Sequence, residues 1–97
     1  MDAKITIIIP CYNVEPYIDR CMQSIVEQTM RVSCMQIISV DDASTDGTMN
    51  KLLEWQGEYP RRVQIIHNRR NRRQGTCRNL GLQHAQGEYV LFVDADV

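Results

Sequence analysis

Two groups of aspartates in the 97-residue chain have the types and spacing for chemistry: Asp41-Asp42 and Asp94-Ala95-Asp96. In extended backbone, residues two apart point the same way, so Asp94 and Asp96 would converge. Converging carboxylates repel unless a cation lies between them, and oxygen donors suit Mg2+ or Mn2+. Such an ion can bridge to a diphosphate and stabilise charge on a departing nucleoside diphosphate. Taken alone, the tripeptide reads more simply as a solvated strand end, because D-x-D is short and common. Asp41-Asp42 also has two readings. One is a turn with local hydrogen bonds before a capped helix. The other is recognition of a uracil imide N–H or a ribose hydroxyl by a carboxylate.

Three further features join these. Cys11-Tyr12-Asn13 offers an aromatic ring for stacking on a base. Arg78 lies in the first turns of an expected helix, within reach of Asp94, Asp41 or a phosphate. No acidic residue occurs between Glu58 and Glu88, a stretch that holds Arg61, Arg62, Arg69, Arg70, Arg72, Arg73 and Arg78. A locally positive surface favours an anionic ligand although the net charge is only −1. His67 and His84 read as a strand-end and a packed residue.

The elements that must position these groups follow from hydrophobic spacing. Ile5–Ile9 is a short β-branched run, stopped by Pro10, and reads as a buried strand. Val14, Tyr17, Ile18, Cys21, Met22, Ile25 and Val26 keep helical spacing, and Glu15-Pro16 suits the first turn. Met35–Val40 is a second strand, closed by Asp41-Asp42. Ser44-Thr45-Asp46 supplies N-caps for a helix with Met49, Leu52, Leu53 and, at the margin, Trp55 inside; Gly57 and Pro60 mark its end. Val63–Ile66 is a third strand and Asn68–Asn71 a loop. Gly75–Ala85 is a third helix, with Cys77, Leu80, Gly81 and His84 inward and Gly87 as terminator. Tyr89–Val93 is a fourth strand. The order βαβαβαβ predicts an α/β fold, a mostly parallel Rossmann-like sheet with helices on both faces. Ligands then bind beyond the carboxyl ends of the strands, where the polar clusters after strands one, two and four should meet.

Composition narrows the class. A chain of this length that is 43% apolar suits one compact domain. No stretch approaches the roughly 20 apolar residues of a membrane span, and Met1–Lys4 leads into a run too short for an export signal. The expected location is the cytoplasm, with association at the inner membrane face through further segments left open. Cys11, Cys21, Cys34 and Cys77 form no C-x-x-C pair and are expected as free thiols. A dinucleotide-binding domain is excluded because no G-x-G-x-x-G follows the first strand.

In order along the chain, these residues resemble the inverting family-two glycosyltransferases of GT-A fold. Ile7–Glu15 is similar to that family's opening strand and nucleotide loop, and Ser24-Ile25 with Gln28-Thr29 to its first helix end. Val40–Thr48 resembles its second signature, and Asn71–Gly75 with Arg78–Gly81 its third. Gly87–Tyr89 leading to Val93–Asp96 resembles the strand that ends in its D-x-D motif. The resemblance implies a partial GT-A fold and a donor site for a nucleoside-diphosphate sugar, with UDP as the expected nucleotide. Pro10, Tyr12, Asn13 and Glu15 would line the nucleotide pocket. Asp41 or Asp42 would contact the base, and Arg78 would help hold the pocket. Asp94 would lie near the ribose or the metal, and Asp96 would bind the Mn2+ or Mg2+ carried on the diphosphate.

Two residues depart from the family's pattern. Ala43 stands at a turn where the family often has glycine, which implies strain if the position needs positive φ. Arg72-Arg73 stands where many relatives have a glycine, making this loop more cationic. Family members also continue well past D-x-D, and the later part supplies the acceptor site and the catalytic base. The resemblance therefore implies a donor-binding portion cut short after the motif, inactive alone, with its base beyond Val97. No nucleic-acid partner is expected. Self-association through an exposed sheet edge is expected for such a piece. The competing reading is a non-catalytic module that binds nucleotides or polyanions through the arginine-rich loop.

Overall fold

In the computed structural model, which describes residues 3–28 and 31–96, strands β1 (Ile5–Cys11), β2 (Met35–Asp42), β3 (Val63–Asn68) and β4 (Tyr89–Phe92) form one sheet in the order β3-β2-β1-β4. All three pairings are parallel. Helices α1 (Glu15–Val26), α2 (Thr48–Glu58) and α3 (Arg73–His84) connect them, with a 3-10 turn at Val32–Cys34 before β2. Thr29, which the family resemblance puts near the end of the first helix, lies outside the described residues. Among the described residues no helix is long and apolar enough to cross a membrane.

The isoleucine run of β1 explains why it is a central strand. Ile7 and Ile9 project into a cluster with Ile18, Met22 and Ile25 of α1 and Leu52 and Trp55 of α2. Ile8, between them, projects to the opposite face and meets Ile38, Val40 and Cys77 of α3. Alternation thus buries both faces of the strand, as a sheet with helices on each side requires. Each fully buried isoleucine contributes about 1.5–3 kcal/mol. On the thinner α3 face the fit is tight. A Cβ on Gly81 would stand 2.5 Å from Ile8 Cγ2, so only glycine lets α3 lie this close to the sheet.

Pro10 does not stop β1, contrary to the expectation from sequence; the strand runs to Cys11 with Pro10 opposite Val40. The reason lies in the side its missing N–H would face. Ile8 O accepts from Val93 N of the chain leaving β4. Two residues on, the backbone points the same way, where β4 has already ended at Phe92. The proline therefore costs the sheet no ladder bond.

Other boundaries shift for similar reasons. β2 extends through Asp41-Asp42 because both pair with the end of β3, at His67 and Asn68. Gly57 lies inside α2, which ends one residue later at Glu58. Leu53 is exposed, and Thr48 and Trp55 take the inner positions beside Leu52. His84 is exposed as well, its Nδ1 2.9 Å from Leu80 O. Gly87 does not terminate α3, which ends at His84. It instead passes close to β1, where a Cβ would lie 2.6 Å from Thr6 N.

That close passage belongs to a buried polar network at the amino ends of the strands. Gln36 is fully buried, and its amide is saturated. Its oxygen accepts from Thr6 Oγ1 and Gln86 N, both at 2.7 Å. Its nitrogen donates to Gln64 Oε1 at 3.0 Å and to His84 O at 2.8 Å. Gly87 N donates to Thr6 Oγ1. These bonds tie the α3–β4 connection to the sheet and hold β4 beside β1. All four cysteines are free, and Cys11, Cys21 and Cys77 are buried.

Candidate functional site

The chain winds from β1 to β2 to β3 in one direction, then returns to place β4 on the other side of β1. The carboxyl ends of β1 and β4 therefore flank the point where the strand order reverses, the usual ligand crevice of parallel α/β sheets. A cleft of about 270 Å³ opens there, lined by residues that include Pro10, Tyr12, Asp42, Arg73, Asp94 and Asp96. Polar ends of strands one, two and four do meet on one edge. The third strand joins them through His67 and Asn68, which the same strand-end rule would have picked out.

The two aspartates of β2 separate. Asp41 is fully buried, and its Oδ2 lies 2.9 Å from His67 Nδ1 on the side away from the cleft lining. Asp42 reaches the cleft. Its Oδ1 accepts from Asn68 Nδ2 (2.9 Å) and Arg72 N (2.8 Å), and its Oδ2 from Arg73 N (2.9 Å). Burial works against ionisation of Asp42, but the bonds from Asn68 and the two arginine N–H groups outweigh it and hold its carboxyl below the usual range. Two carboxylate oxygens offer about four acceptor sites, and these bonds fill three. Asp42 thus anchors the β3–α3 loop and keeps acceptor capacity toward the cleft.

Asn13 and Glu15 are not among the cleft-lining residues. Their side chains hold the β2–α2 loop. Asn13 Oδ1 accepts from Thr45 N at 2.8 Å, and Glu15 Oε1 from Gly47 N at 2.8 Å. The loop answers: Thr48 Oγ1 accepts from Val14 N, and Asp46 Oδ2 from Glu15 N, at the start of α1. Gly47, not Ser44, Thr45 or Asp46, occupies the N-cap of α2, but Asp46 Oδ1 accepts from its first N–H, Thr48 N, at 3.0 Å. One carboxylate therefore serves two helix amino termini, where negative charge is favoured. This clamp fixes the loop that carries Tyr12, which is half exposed and free to meet a ligand.

Ala43, directly after Asp42, has φ 64°, and Arg73 has φ 73°. Ala43 is one departure from a family glycine, and Arg73 belongs to the Arg72-Arg73 pair that forms the other. Both bear a left-handed backbone, at a cost of roughly 1 kcal/mol or more for a residue with a Cβ.

Regular strand geometry ends at Phe92, so Asp94 and Asp96 do not converge by continued alternation; residues 95 and 96 form a turn. Ala95 is buried against the α1–α2 core, and its burial leaves both neighbouring carboxylates exposed on the cleft wall. Asp94 Oδ1 accepts from Gln74 Nε2 at 2.9 Å and lies 3.7 Å from Arg78 Nη2. Arg78 also stacks over Phe92, 5.5 Å from the ring centre, and lies behind Asp94 rather than on the cleft lining. Gln74, Asn71 and Cys77 line the cleft and were not singled out as site residues from sequence.

The donor set fits a divalent ion carried with its ligand. Among the described residues no group of three or more His, Cys, Asp or Glu side chains is arranged to hold a metal. Two exposed carboxylates give part of an oxygen shell, as Mg2+-type ions commonly have when phosphates and water complete it.

Fold and cleft together define a parallel α/β domain with its ligand crevice at the strand-order reversal. The chain belongs to glycosyl transferase family 2, whose model matches residues 6–97. It is 42% identical over 93 residues to a poly(ribitol-phosphate) beta-glucosyltransferase of Bacillus spizizenii, covering 96% of this chain and 15% of that protein. Two solved structures share the GT-A architecture. Residues 1–349 of Staphylococcus aureus TarS, in complex with UDP-GlcNAc, superpose with a TM-score of 0.82 at 34% identity, over 96% of this chain and 26% of that one. The mannosyltransferase PcManGT of Pyrobaculum calidifontis, in complex with GDP-Man and Mn2+, gives 0.89 at 32% identity, over 99% and 28%. The chain thus spans 15% of that Bacillus spizizenii protein and 26% and 28% of the two solved chains.

Proposed function

We propose that this chain is the donor-binding portion of an inverting, metal-dependent glycosyltransferase that uses a nucleoside-diphosphate sugar, with UDP as the nucleotide. The observation that carries the proposal is the meeting of Tyr12, Asp42, Asp94 and Asp96 around one cleft at the strand-order reversal. Tyr12 stacks on the base, and the free acceptor site of Asp42 takes its imide N–H. Asp94 and Asp96 would hold a divalent ion, which would offset the charge on a departing diphosphate. Arg78 steadies Asp94 from behind. The UDP-GlcNAc bound by TarS supports UDP as the nucleotide, and the GDP-Man and Mn2+ bound by PcManGT support a nucleotide sugar held with a divalent ion.

No side chain here is assigned the catalytic base. Asp41 is buried on His67, Asp42 is committed to the loop and the proposed base contact, and Asp94 and Asp96 would hold the ion. The chain alone is therefore expected to bind donor without transferring sugar. For the complete enzyme we assign a phosphate-rich polymer as acceptor, on the strength of the named poly(ribitol-phosphate) relative.

Calorimetric titration of the chain with UDP and with GDP, each with Mn2+, tests the donor reading. UDP should bind more tightly than GDP, and Tyr12→Ala should weaken it about tenfold, a stacking loss of roughly 1–3 kcal/mol. Salt-sensitive binding of every polyanion without regard to the base would favour a general polyanion module instead.

A further inference from the structure

The β3–α3 loop carries more positive charge than lines the donor cleft, where of its arginines Arg73 alone is found among the described residues. Arg69, Arg70, Arg72 and Arg73 fall within five residues and are all exposed. Among the described residues, the ion pairs are Lys51–Asp19, His67–Asp41 and Arg78–Asp94, and none engages these four arginines. The loop is nonetheless fixed. Arg72 N and Arg73 N both donate to Asp42, and Arg73 N also bonds Asn71 Oδ1 at 3.2 Å. Its far end reaches the cleft through Asn71, Arg73 and Gln74, and Gln74 touches Asp94. A fixed backbone therefore carries the exposed side chains of Arg69, Arg70 and Arg72 on the same loop whose Asn71, Arg73 and Gln74 line the cleft.

A nucleoside diphosphate carries only two phosphates, and an ion at Asp94 and Asp96 would offset part of their charge. Four unpaired arginines exceed that need and suit a ligand with repeated anionic groups. Guanidinium binds phosphate oxygens bidentately, so Arg is the residue expected for this task. Residues 69–76 contain no aromatic side chain to stack on nucleic-acid bases. They also contain no apolar side chain to enter a bilayer. We propose that Arg69, Arg70 and Arg72 form a docking lip for the phosphodiester backbone of a polyol-phosphate acceptor, bringing its hydroxyls to the donor sugar. The proposal deepens the transferase reading and rests on it for the ligand's role as acceptor.

The test is binding of a short, fluorescently labelled ribitol-phosphate oligomer to the chain, followed by anisotropy. Arg69→Gln, Arg70→Gln and Arg72→Gln are combined in one variant; each keeps the backbone N–H, so the bonds to Asp42 persist. The parent chain should bind the oligomer and ignore neutral dextran. The triple variant should lose at least about tenfold in affinity, and the slope of log affinity against log salt should fall by roughly two, as three phosphate contacts disappear. UDP binding with Mn2+ in the variant should match the parent and reports that it is folded. If the variant does not fold, the parent alone decides, by its salt slope and its preference for the oligomer over phosphatidylglycerol vesicles. Unchanged oligomer affinity in a folded variant, or equal affinity for vesicles, would overturn the docking lip. Failure of UDP to bind the parent while the oligomer still binds through the arginines would instead overturn the donor reading.

Discussion

Strands β2 and β4 both end in aspartates, yet they are built in opposite ways. β2 lies between β1 and β3, and all eight of its residues are buried. β4 lies at the sheet edge, paired only with β1, and all four of its residues are exposed. Their carboxylates differ accordingly. Asp42 holds three hydrogen bonds, whereas Asp96 makes none among the described residues. The fold thus pre-sets the group proposed to read the base, and leaves the group proposed to bind metal free of hydrogen bonds among the described residues. A binding site can combine both because they face different demands. Base recognition needs a fixed acceptor, and ion capture needs unsatisfied oxygen.

Core substitutions should separate the two strands most. Ile38→Ala in β2 should cost about 2–5 kcal/mol, since it opens a cavity between sheet and α3. Leu91→Ala in β4 should cost less than about 1 kcal/mol because the side chain is 45% exposed. Urea denaturation of both variants checks this, and equal losses would mean that β4 is covered in solution.

The carboxylates give the next contrast. Asp42→Ala removes the acceptor of three bonds, each partner then losing a charged ligand; a loss of about 2–3 kcal/mol is expected. Asp96→Ala should leave the urea midpoint unchanged. The pH dependence follows from the sign of the shift. The carboxyl of Asp42 is held below its ordinary value, so its stabilisation is present above the unfolded pKa of about 3.9. It disappears as pH falls through the lower folded value. The acid limb of the stability curve should therefore be shallower in Asp42→Asn than in the parent, and parallel limbs would remove Asp42 from its assigned place. A smaller effect of opposite sign is expected at the neighbouring turn. Ala43→Gly relieves φ 64° and should raise stability by about 0.5–1 kcal/mol, after the greater freedom of glycine in the unfolded chain is allowed for.

Much of this arrangement was legible in the residues. The isoleucine run, the helical spacing of Ile18, Met22 and Ile25, and the polar strand ends were enough for the parallel α/β order. The turn strain at Ala43 was legible too, because a family glycine marks a backbone requirement. What escaped notice depended on partners distant in sequence. The family resemblance makes Asn13 and Glu15 pocket residues, but their acceptor atoms meet Thr45 and Gly47 more than thirty residues away. Asp41 and Asp42 are chemically identical, and only their alternation in β2 sends one to His67 and the other to the cleft. Gln36 reads as an ordinary polar strand residue until Thr6, Gln64, His84 and Gln86 surround it. Pro10 reads as a stop because its tolerance depends on where β4 ends.

The most direct test of the central claim is Mn2+ binding to the chain, followed by electron paramagnetic resonance of the free ion with and without UDP. Two exposed carboxylates alone should hold Mn2+ weakly. UDP should tighten that binding, and Mn2+ should tighten UDP by the same factor, because coupling between two ligands is reciprocal. Asp96→Asn should abolish the coupling while the fold persists. UDP binding that is indifferent to chelation of the metal, or to Asp96→Asn, would contradict the account.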